Sequence, residues 1–315
     1  MKTLRLDLQT QTFTLRAADG LELFVYRWLP SGPCKGLVQI AHGLAEHAGR
    51  YARLAEALNA AGYAVYANDH RGHGQTCKSK EDLGFFGERD GWRACVNDLW
   101  TLNRHIAAQH PGVPLVLLGH SMGATLAEHF IGEHGDALAG VVLCAPSGKP
   151  PARAIVGRWI MRLERWRAGP RGHSKVVQGL TFEAFNQQFA PCRTPSDWLS
   201  RDTAEVDKYV NDPLCGFPST IQLWIDLFDG WAALSRPAHL AQIPKNLPVY
   251  VIAGALDPVS SKTKQIQPML AAYKAAGLNV EYRFYPEARH ELFNETNRDE
   301  VTRNLIEWMN GVTEG

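Results

Sequence analysis

The chain sets short apolar runs against longer stretches in which apolar residues recur every three or four positions. Residues 10–30 alternate polar and apolar positions as TFTLRA and LELFVYRW on either side of Asp19-Gly20, which predicts an antiparallel hairpin. Beyond it, apolar runs at Gly36–Ala41, Ala64–Ala67, Leu115–Leu118, Val141–Cys144, Val249–Ala253 and Val280–Tyr285 predict buried strands. Amphipathic stretches lie between them. Tyr51–Ala61 is closed by Gly62; Trp92–Ala108 is closed by Pro111 and places Cys95, Val96, Leu99, Leu102 and Ile106 on one face. Short buried strands separated by helices belong to a mostly parallel sheet covered on both faces, an α/β architecture.

That alternation stops near Ser147 and resumes near Val249. The stretch between reads as helical. Residues 152–167 place Ile155, Val156, Trp159, Ile160, Leu163 and Trp166 on one face, expected to pack on the sheet domain. Ser219 with Gln222 has the form of a capping box, starting a helix with Trp224, Leu227, Phe228 and Trp231. Five of the nine tryptophans (Trp159, Trp166, Trp198, Trp224, Trp231) fall in this insertion. We therefore divide the chain into a core of residues 1–147 and 236–315 and a helical cap of residues 148–235, lying over the C-terminal edge of the sheet where open α/β sheets bind ligands. Gly169-Pro-Arg-Gly172 is the expected joint if the cap moves as a lid.

Composition narrows the class. A chain of 315 residues, 45% hydrophobic and 21% charged, can bury a large core without disulfides or metals. Its 33 Lys and Arg nearly balance 32 Asp and Glu, so no global field favours nucleic acid, and none is expected as a partner. The N-terminal MKTLRLDLQTQTF lacks the apolar core of a signal peptide, and no run of about 18 apolar residues predicts a membrane span. Cys34, Cys77, Cys95, Cys144, Cys192 and Cys215 are scattered without a CxxC pair, which points to reduced thiols and a cytoplasmic setting.

Candidate chemistry centres on residues 115–123, LVLLGHSMG. Gly119-His120-Ser121-Met122-Gly123 is a Gly-x-Ser-x-Gly motif between an apolar strand and a helical pattern. A serine on such a turn exposes its Oγ, and glycines two positions either side let neighbouring backbone approach. The following helix N-terminus favours developing negative charge. A serine nucleophile needs a base, and the base an orienting acid. Asp257, after the strand VYVIAG, and His290, after VEYRFYPEAR, follow Ser121 in the required order, each at the C-terminal end of a strand. Two backbone amides should hold an oxyanion: Met122, after the nucleophile, and Leu44, in the loop after the first parallel strand.

The segments AHGLAEHAGRY (41–51), NDHRGHGQT (68–76), GHSMG (119–123), ALDPVSS (255–261) and PEARHELFNE (286–295) together resemble the monoacylglycerol lipase and lysophospholipase branch of the α/β-hydrolase superfamily. The resemblance covers about two-thirds of the chain. It implies the α/β-hydrolase fold, Ser121, Asp257 and His290 as a triad, and the Leu44 and Met122 amides as oxyanion donors. It also implies that Glu46 and Arg50 line the polar-headgroup end of the pocket. Trp159 is the residue of the apolar cap expected to meet the acyl chain. The implied substrate is a single-chain lipid ester, a monoacylglycerol or lysophospholipid, cleaved through an acyl-enzyme without a cofactor.

Other readings stand beside this one. His42, His47, Asp69, His70 and His73 could ligate zinc, but neither HExxH nor HxHxDH is present, and no metal is expected. Arg153, Arg158, Arg162, Arg165 and Arg167, opposite the apolar face of the first cap helix with Glu164 among them, raise peripheral membrane contact through the cap against a merely solvated face. A general short-chain carboxylesterase is the nearest alternative. A proline-type aminopeptidase would need cap acids to hold a free amine, with Glu164, Asp197, Asp202, Glu205 and Asp207 as the candidates. A non-catalytic scaffold fits poorly with a complete triad, and Ser121 excludes a dehalogenase, which needs Asp there.

Overall fold

A computed structural model describes residues 10–150, 152–234 and 236–313, with the side chains of residues 152–156 excepted. Eight strands form one sheet: β1 (Gln11–Arg16), β2 (Glu22–Trp28), β3 (Gly36–Ala41), β4 (Tyr63–Asn68), β5 (Leu115–His120), β6 (Gly140–Cys144), β7 (Val249–Gly254) and β8 (Val280–Tyr285). Their spatial order is β1-β2-β4-β3-β5-β6-β7-β8. The expected hairpin is β1 and β2, paired antiparallel; β2 meets β4 antiparallel, and every pairing from β4 across to β8 is parallel. Every residue of β3, β4, β5, β6 and β7 is buried. Burial on both faces is why these strands read as continuous apolar runs.

Helices cover both faces. The helix α1 (Ala52–Ala60) brings Leu54 and Leu58 to one side of the sheet, where the C-terminal helix adds Val301, Leu305 and Met309. On the other side, α2 (Gly91–Gln109) and α3 (Met122–His134) supply Cys95, Leu99, Leu126 and Phe130. Among the described residues no helix is long and apolar enough to cross a membrane, and all six cysteines are free thiols. The N-terminal segment used above to exclude a signal peptide lies largely outside the described residues.

Between β6 and β7 the chain runs through α4 (Ala152–Ala168), α5 (Lys175–Gln178), α6 (Ala184–Gln187), α7 (Thr203–Asn211), α8 (Ile221–Leu234) and α9 (Pro237–Gln242). After β7 come α10 (Ile266–Ala275) and, closing the chain, α11 (Arg298–Thr313). Two expectations for the insertion are corrected. First, α8 is capped by Thr220, whose Oγ1 accepts the Leu223 amide at 3.2 Å, while the Ser219 hydroxyl is buried without a partner. Second, α4 lies the other way up. Trp159, Leu163 and Trp166 are 67%, 65% and 85% exposed, and Met161 is the buried residue, packed with Val177, Ile221, Trp224 and Ile225.

Met161 turns inward onto Trp224 and Ile225 of α8, and at the edge of that contact Asp229 pairs with Arg158 (2.5 Å) and Arg162 (3.0 Å), while Arg162, Arg165 and Arg167 stay exposed together with the tryptophans. Glu164 pairs with Arg167. The side chains of Arg153, Ile155 and Val156 lie outside the described residues. The Gly169–Gly172 turn is tied down: Ile221 and Gln222 amides donate to Gly172 and Pro170 carbonyls, and the Arg171 guanidinium sits 4.0 Å from the Phe85 ring centre.

Candidate active site

The β5–α3 turn forces Ser121 into φ 54°, ψ −115°, a backbone conformation that side chains other than glycine adopt only under constraint. The constraint is visible on both sides. A Cβ on Gly119 would lie 2.3 Å from the Gly123 carbonyl oxygen, and one on Gly123 would lie 2.0 Å from that of Ala41. Only glycine at both positions lets β3, β5 and α3 close up this far. The Ser121 amide donates to the Cys144 carbonyl at 2.9 Å, which fixes the turn to β6.

Asp257 and His290 leave the sheet at the ends of β7 and β8 and meet there. Asp257 is fully buried; its Oδ1 accepts the Val259 amide at 2.9 Å and lies 3.0 Å from His290 Nδ1. A carboxylate accepts only, so His290 Nδ1–H is the donor of this bond. His290 is 2% exposed, its ring flanked by His120 and by Trp198 of the insertion, each with centroid 5.0 Å away.

Ser121 and His290 both face a cavity of 130 Å³, whose walls include Phe182, Phe185, Trp224, Phe228 and Trp231 from the insertion. Leu44 and Met122 face the same space. Met122 opens α3, so its amide belongs to the first turn, which has no intrahelical acceptor. The amides flanking Leu44 are turned elsewhere, Gly43 to Glu46 Oε1 (2.6 Å) and Ala45 to His73 Nε2 (3.2 Å). Phe185, Phe228, Trp231 and Val259 also line a second cavity of 630 Å³, so this chamber adjoins a larger apolar space bounded by Ile160, Val176 and Leu180.

Two expected binding residues have other occupations. Glu46 reaches the chamber wall, but its carboxylate is saturated: Oε1 accepts from Gly43, Tyr51 (2.9 Å) and His120 (3.1 Å), and Oε2 from Arg50 (2.6 Å). Arg50 does not line the chamber. Its guanidinium is shared between Glu46 and Glu291, because two buried carboxylates on either side of it both need a counter-charge. Burial works against the charge on Glu46, yet Arg50 and His120 hold its carboxyl well below the usual carboxylate range. Trp159 is the third correction: exposed on α4, it stacks against Arg162 and is absent from both cavity walls.

The histidine group once open to a metal reading is a set of backbone supports. Burial holds His42 far below its ordinary pKa, His70 down to about 3 and His73 down to about 4, so all three are neutral and can accept. His42 Nε2 accepts the His70 amide at 3.0 Å, as His73 does that of Ala45. Asp69 accepts the amides of Ala48 and Gln75, and His47 bonds Asp212 of the insertion at 2.9 Å. His47, Asp212 and Cys215 could together touch one ion. Burial pushes the Cys215 thiol up, away from the thiolate that a metal would need.

Glu291 and Trp198 were not singled out from the sequence, although Glu291 follows His290 in the PEARHELFNE segment and Trp198 is one of the insertion's tryptophans. Each acquires its place through contacts with residues far along the chain, Arg50 and His290 respectively.

An eight-stranded sheet with this serine turn and a histidine–carboxylate pair at the next strand ends defines an α/β-hydrolase. Residues 32–297 match the Hydrolase_4 family, described as serine aminopeptidase, S33, and the chain belongs to that family. It is 29% identical over 302 residues to a monoacylglycerol lipase of Mycolicibacterium smegmatis, covering 92% of this chain and 93% of that one. It is 30% identical over 296 residues to a monoglyceride lipase homolog of Monkeypox virus, covering 91% and 92%. Among solved structures, a thermostable carboxyl esterase from Bacillus coagulans in complex with glycerol superposes with a TM-score of 0.89 at 27% identity, covering 97% of this chain and 99% of that one.

Proposed function

We propose that this chain cleaves monoacylglycerols, with Ser121 as nucleophile, His290 as general base and acid, Asp257 as the orienting carboxylate, and the Leu44 and Met122 amides as the oxyanion hole. The chain is a serine ester hydrolase, as its lipase and esterase relatives indicate. The observation that carries the assignment of residues is the strained Ser121 facing one chamber with a histidine whose Nδ1 is held 3.0 Å from Asp257.

On this reading Ser121 Oγ attacks the ester carbonyl as its proton passes to His290 Nε2. Asp257 keeps the ring in the Nδ1–H tautomer and stabilises the imidazolium. The carbonyl oxygen, now negative, receives the two amides. Collapse expels the alcohol with the proton from His290 and leaves an acyl-enzyme, which water, deprotonated by the same histidine, then opens to the fatty acid.

The chamber supports a long chain and a neutral headgroup. Its aromatic lining and the larger cavity behind it suit an acyl chain better than a short ester requires. Among the described residues the lining contains no Lys or Arg, and its carboxylates Glu46 and Glu291 are both tied to Arg50, which disfavours an anionic phosphate there. The same tie leaves no free carboxylate for the amine of a peptide. Of the insertion's acids weighed for that role, Glu205 pairs with Arg53 and Lys208, Asp202 with Arg298, Asp207 with Arg193 and Glu164 with Arg167.

We read the insertion, residues 148–235, as a cap over this chamber, and its outer face as a membrane contact. Ile160, Val176 and Leu180 are exposed and also bound the larger cavity, with Trp159, Leu163 and Trp166 exposed alongside them. Tryptophans beside apolar side chains suit the lipid interface. The free thiols fit a reducing compartment such as the cytoplasm.

The test compares fatty-acid release from a monoacylglycerol and a lysophospholipid of equal chain length, with Ser121→Ala as control. Preference for the monoacylglycerol is expected. Preference for the lysophospholipid would overturn the headgroup assignment, and cleavage of short-chain esters alone would overturn the chain assignment. For membrane contact, co-sedimentation with phosphatidylglycerol-containing vesicles should be lost in Trp166→Ser with Leu163→Ser.

A further inference from the structure

The insertion does more than roof the chamber, for one stretch of it is fastened to the loop that carries His290. In the 3-10 turn Asp197–Leu199 and the residues after it, the Leu199 carbonyl accepts the Glu291 amide at 2.8 Å, and the Ser200 hydroxyl donates to the Asn294 carbonyl at 2.8 Å. The Arg289 guanidinium donates to the carbonyls of Asp197 and Ser200, and Arg201 pairs with Glu295. These bonds hold Trp198 against His290, with ring centroids 5.0 Å apart and planes inclined by 37°. Phe182 and Phe185 back the indole from the far side, at 5.8 and 5.4 Å.

We propose that Trp198 is a positioning residue of the hydrolytic machinery: it fixes the His290 ring from the insertion side and stabilises the imidazolium formed when Ser121 gives up its proton. The proposal rests on the assignment of Ser121, Asp257 and His290 made above. An indole attracts a neighbouring cation through its ring quadrupole, most strongly where water is excluded, and attracts a neutral imidazole far less. The contact therefore strengthens as the reaction proceeds, which is the requirement for accelerating it. Trp198 is 6% exposed and His290 2%, so the contact is buried.

The other charged and titratable groups around His290 are identifiable. Asp257 holds Nδ1; His120 lies beside the ring, with the Glu46 carboxylate behind it; Glu291 is paired with Arg50 and Arg289 with backbone. A substitution at Trp198 removes none of them.

Trp198→Leu and Trp198→Phe are compared with the native chain on p-nitrophenyl butyrate and on a long-chain monoacylglycerol, from pH 5 to pH 9. Trp198→Leu keeps the site apolar and removes the quadrupole. Its kcat should fall about 3- to 30-fold on both substrates, and the acid limb of kcat/KM should move down by roughly half a unit to one and a half units. Trp198→Phe should fall between. Unchanged kcat on the butyrate ester, with loss confined to KM for the long-chain substrate, would make Trp198 only a wall of the acyl site and overturn the proposal. An acid limb that moves up would report entry of water and also overturn it. If Trp198→Leu does not fold, Trp198→Phe decides alone: a smaller shift in the same direction supports the proposal, and no shift overturns it. Ser121→Ala and His290→Ala separate the two levels, since turnover retained in either defeats the triad assignment whatever Trp198 does.

Discussion

Arg50 and Glu291, 241 residues apart in the chain, form a two-pronged ion pair of 2.6 and 2.7 Å in the protein interior. The same guanidinium holds Glu46, whose other oxygen fixes the Gly43 amide beside Leu44. One side chain thus ties the loop that leads to Leu44 to the loop that carries His290. Removing a single partner from a buried pair leaves an uncompensated charge. Arg50→Met, which strands two carboxylates, should lower stability by about 3–5 kcal/mol. Urea unfolding at neutral pH measures it; a loss under 1 kcal/mol would mean the carboxylates find water or protons at little cost.

Ser121→Ala tests the nucleophile without disturbing the fold. The Oγ makes no bond on which the turn depends, and the small side chain keeps the same backbone. Turnover should fall at least a thousandfold, with the unfolding midpoint within a degree or two of the native one. Asp257→Asn should cost on the order of 10⁴ in kcat by offering Nδ1 the wrong partner.

Glu128 on α3 is 5% exposed, and burial pushes its carboxyl up to about 7 although Tyr273 donates to it at 2.7 Å. The folded chain therefore holds a proton that the unfolded chain releases near pH 4.5. Stability is fullest below that value and declines as pH rises to about 7, then levels once both states are ionised. Glu128→Gln should abolish this decline. Urea titrations at pH 5 and pH 8 check it: the variant should gain on the native protein at pH 8 and not at pH 5.

The orientation of α4 can be tested by two truncations two residues apart. Met161 is fully buried against Trp224 and Ile225, so Met161→Ala should cost about 2–4 kcal/mol. Leu163 is 65% exposed, so Leu163→Ala should cost about 0.5 kcal/mol or less. A larger cost at Leu163 than at Met161 would show that the helix packs by the face its periodicity suggests.

That contrast marks where sequence reasoning stopped. Periodicity located α4 but ranked its faces by apolarity alone, whereas the face that packs is the one carrying Met161, which meets Trp224 and Ile225 on another helix. The capping box near Ser219 was displaced by one residue because Thr220 competes for the same role and also bonds Gly84. Glu46 and Arg50 were visible as a polar pair in a motif, yet their third partner, Glu291, joins them only when β8 lies beside β7 and the chain has turned back. By contrast Ser121, Asp257 and His290 could be proposed from the sequence because each is announced locally, by glycines at fixed spacing or by its place at the end of an apolar run.

The sequence alone determined the parallel sheet, its strand positions to within a residue or two, and the serine turn. These follow from burial on both faces and from sterics between near neighbours, which a linear pattern records. Only the tertiary structure decided that α4 buries Met161 and exposes its tryptophans, that Arg50 serves two buried carboxylates, and that Trp198 rests on His290. Each of those is settled by charge or ring contacts between segments far apart in the chain, and no local pattern encodes which distant partner a buried charge will meet.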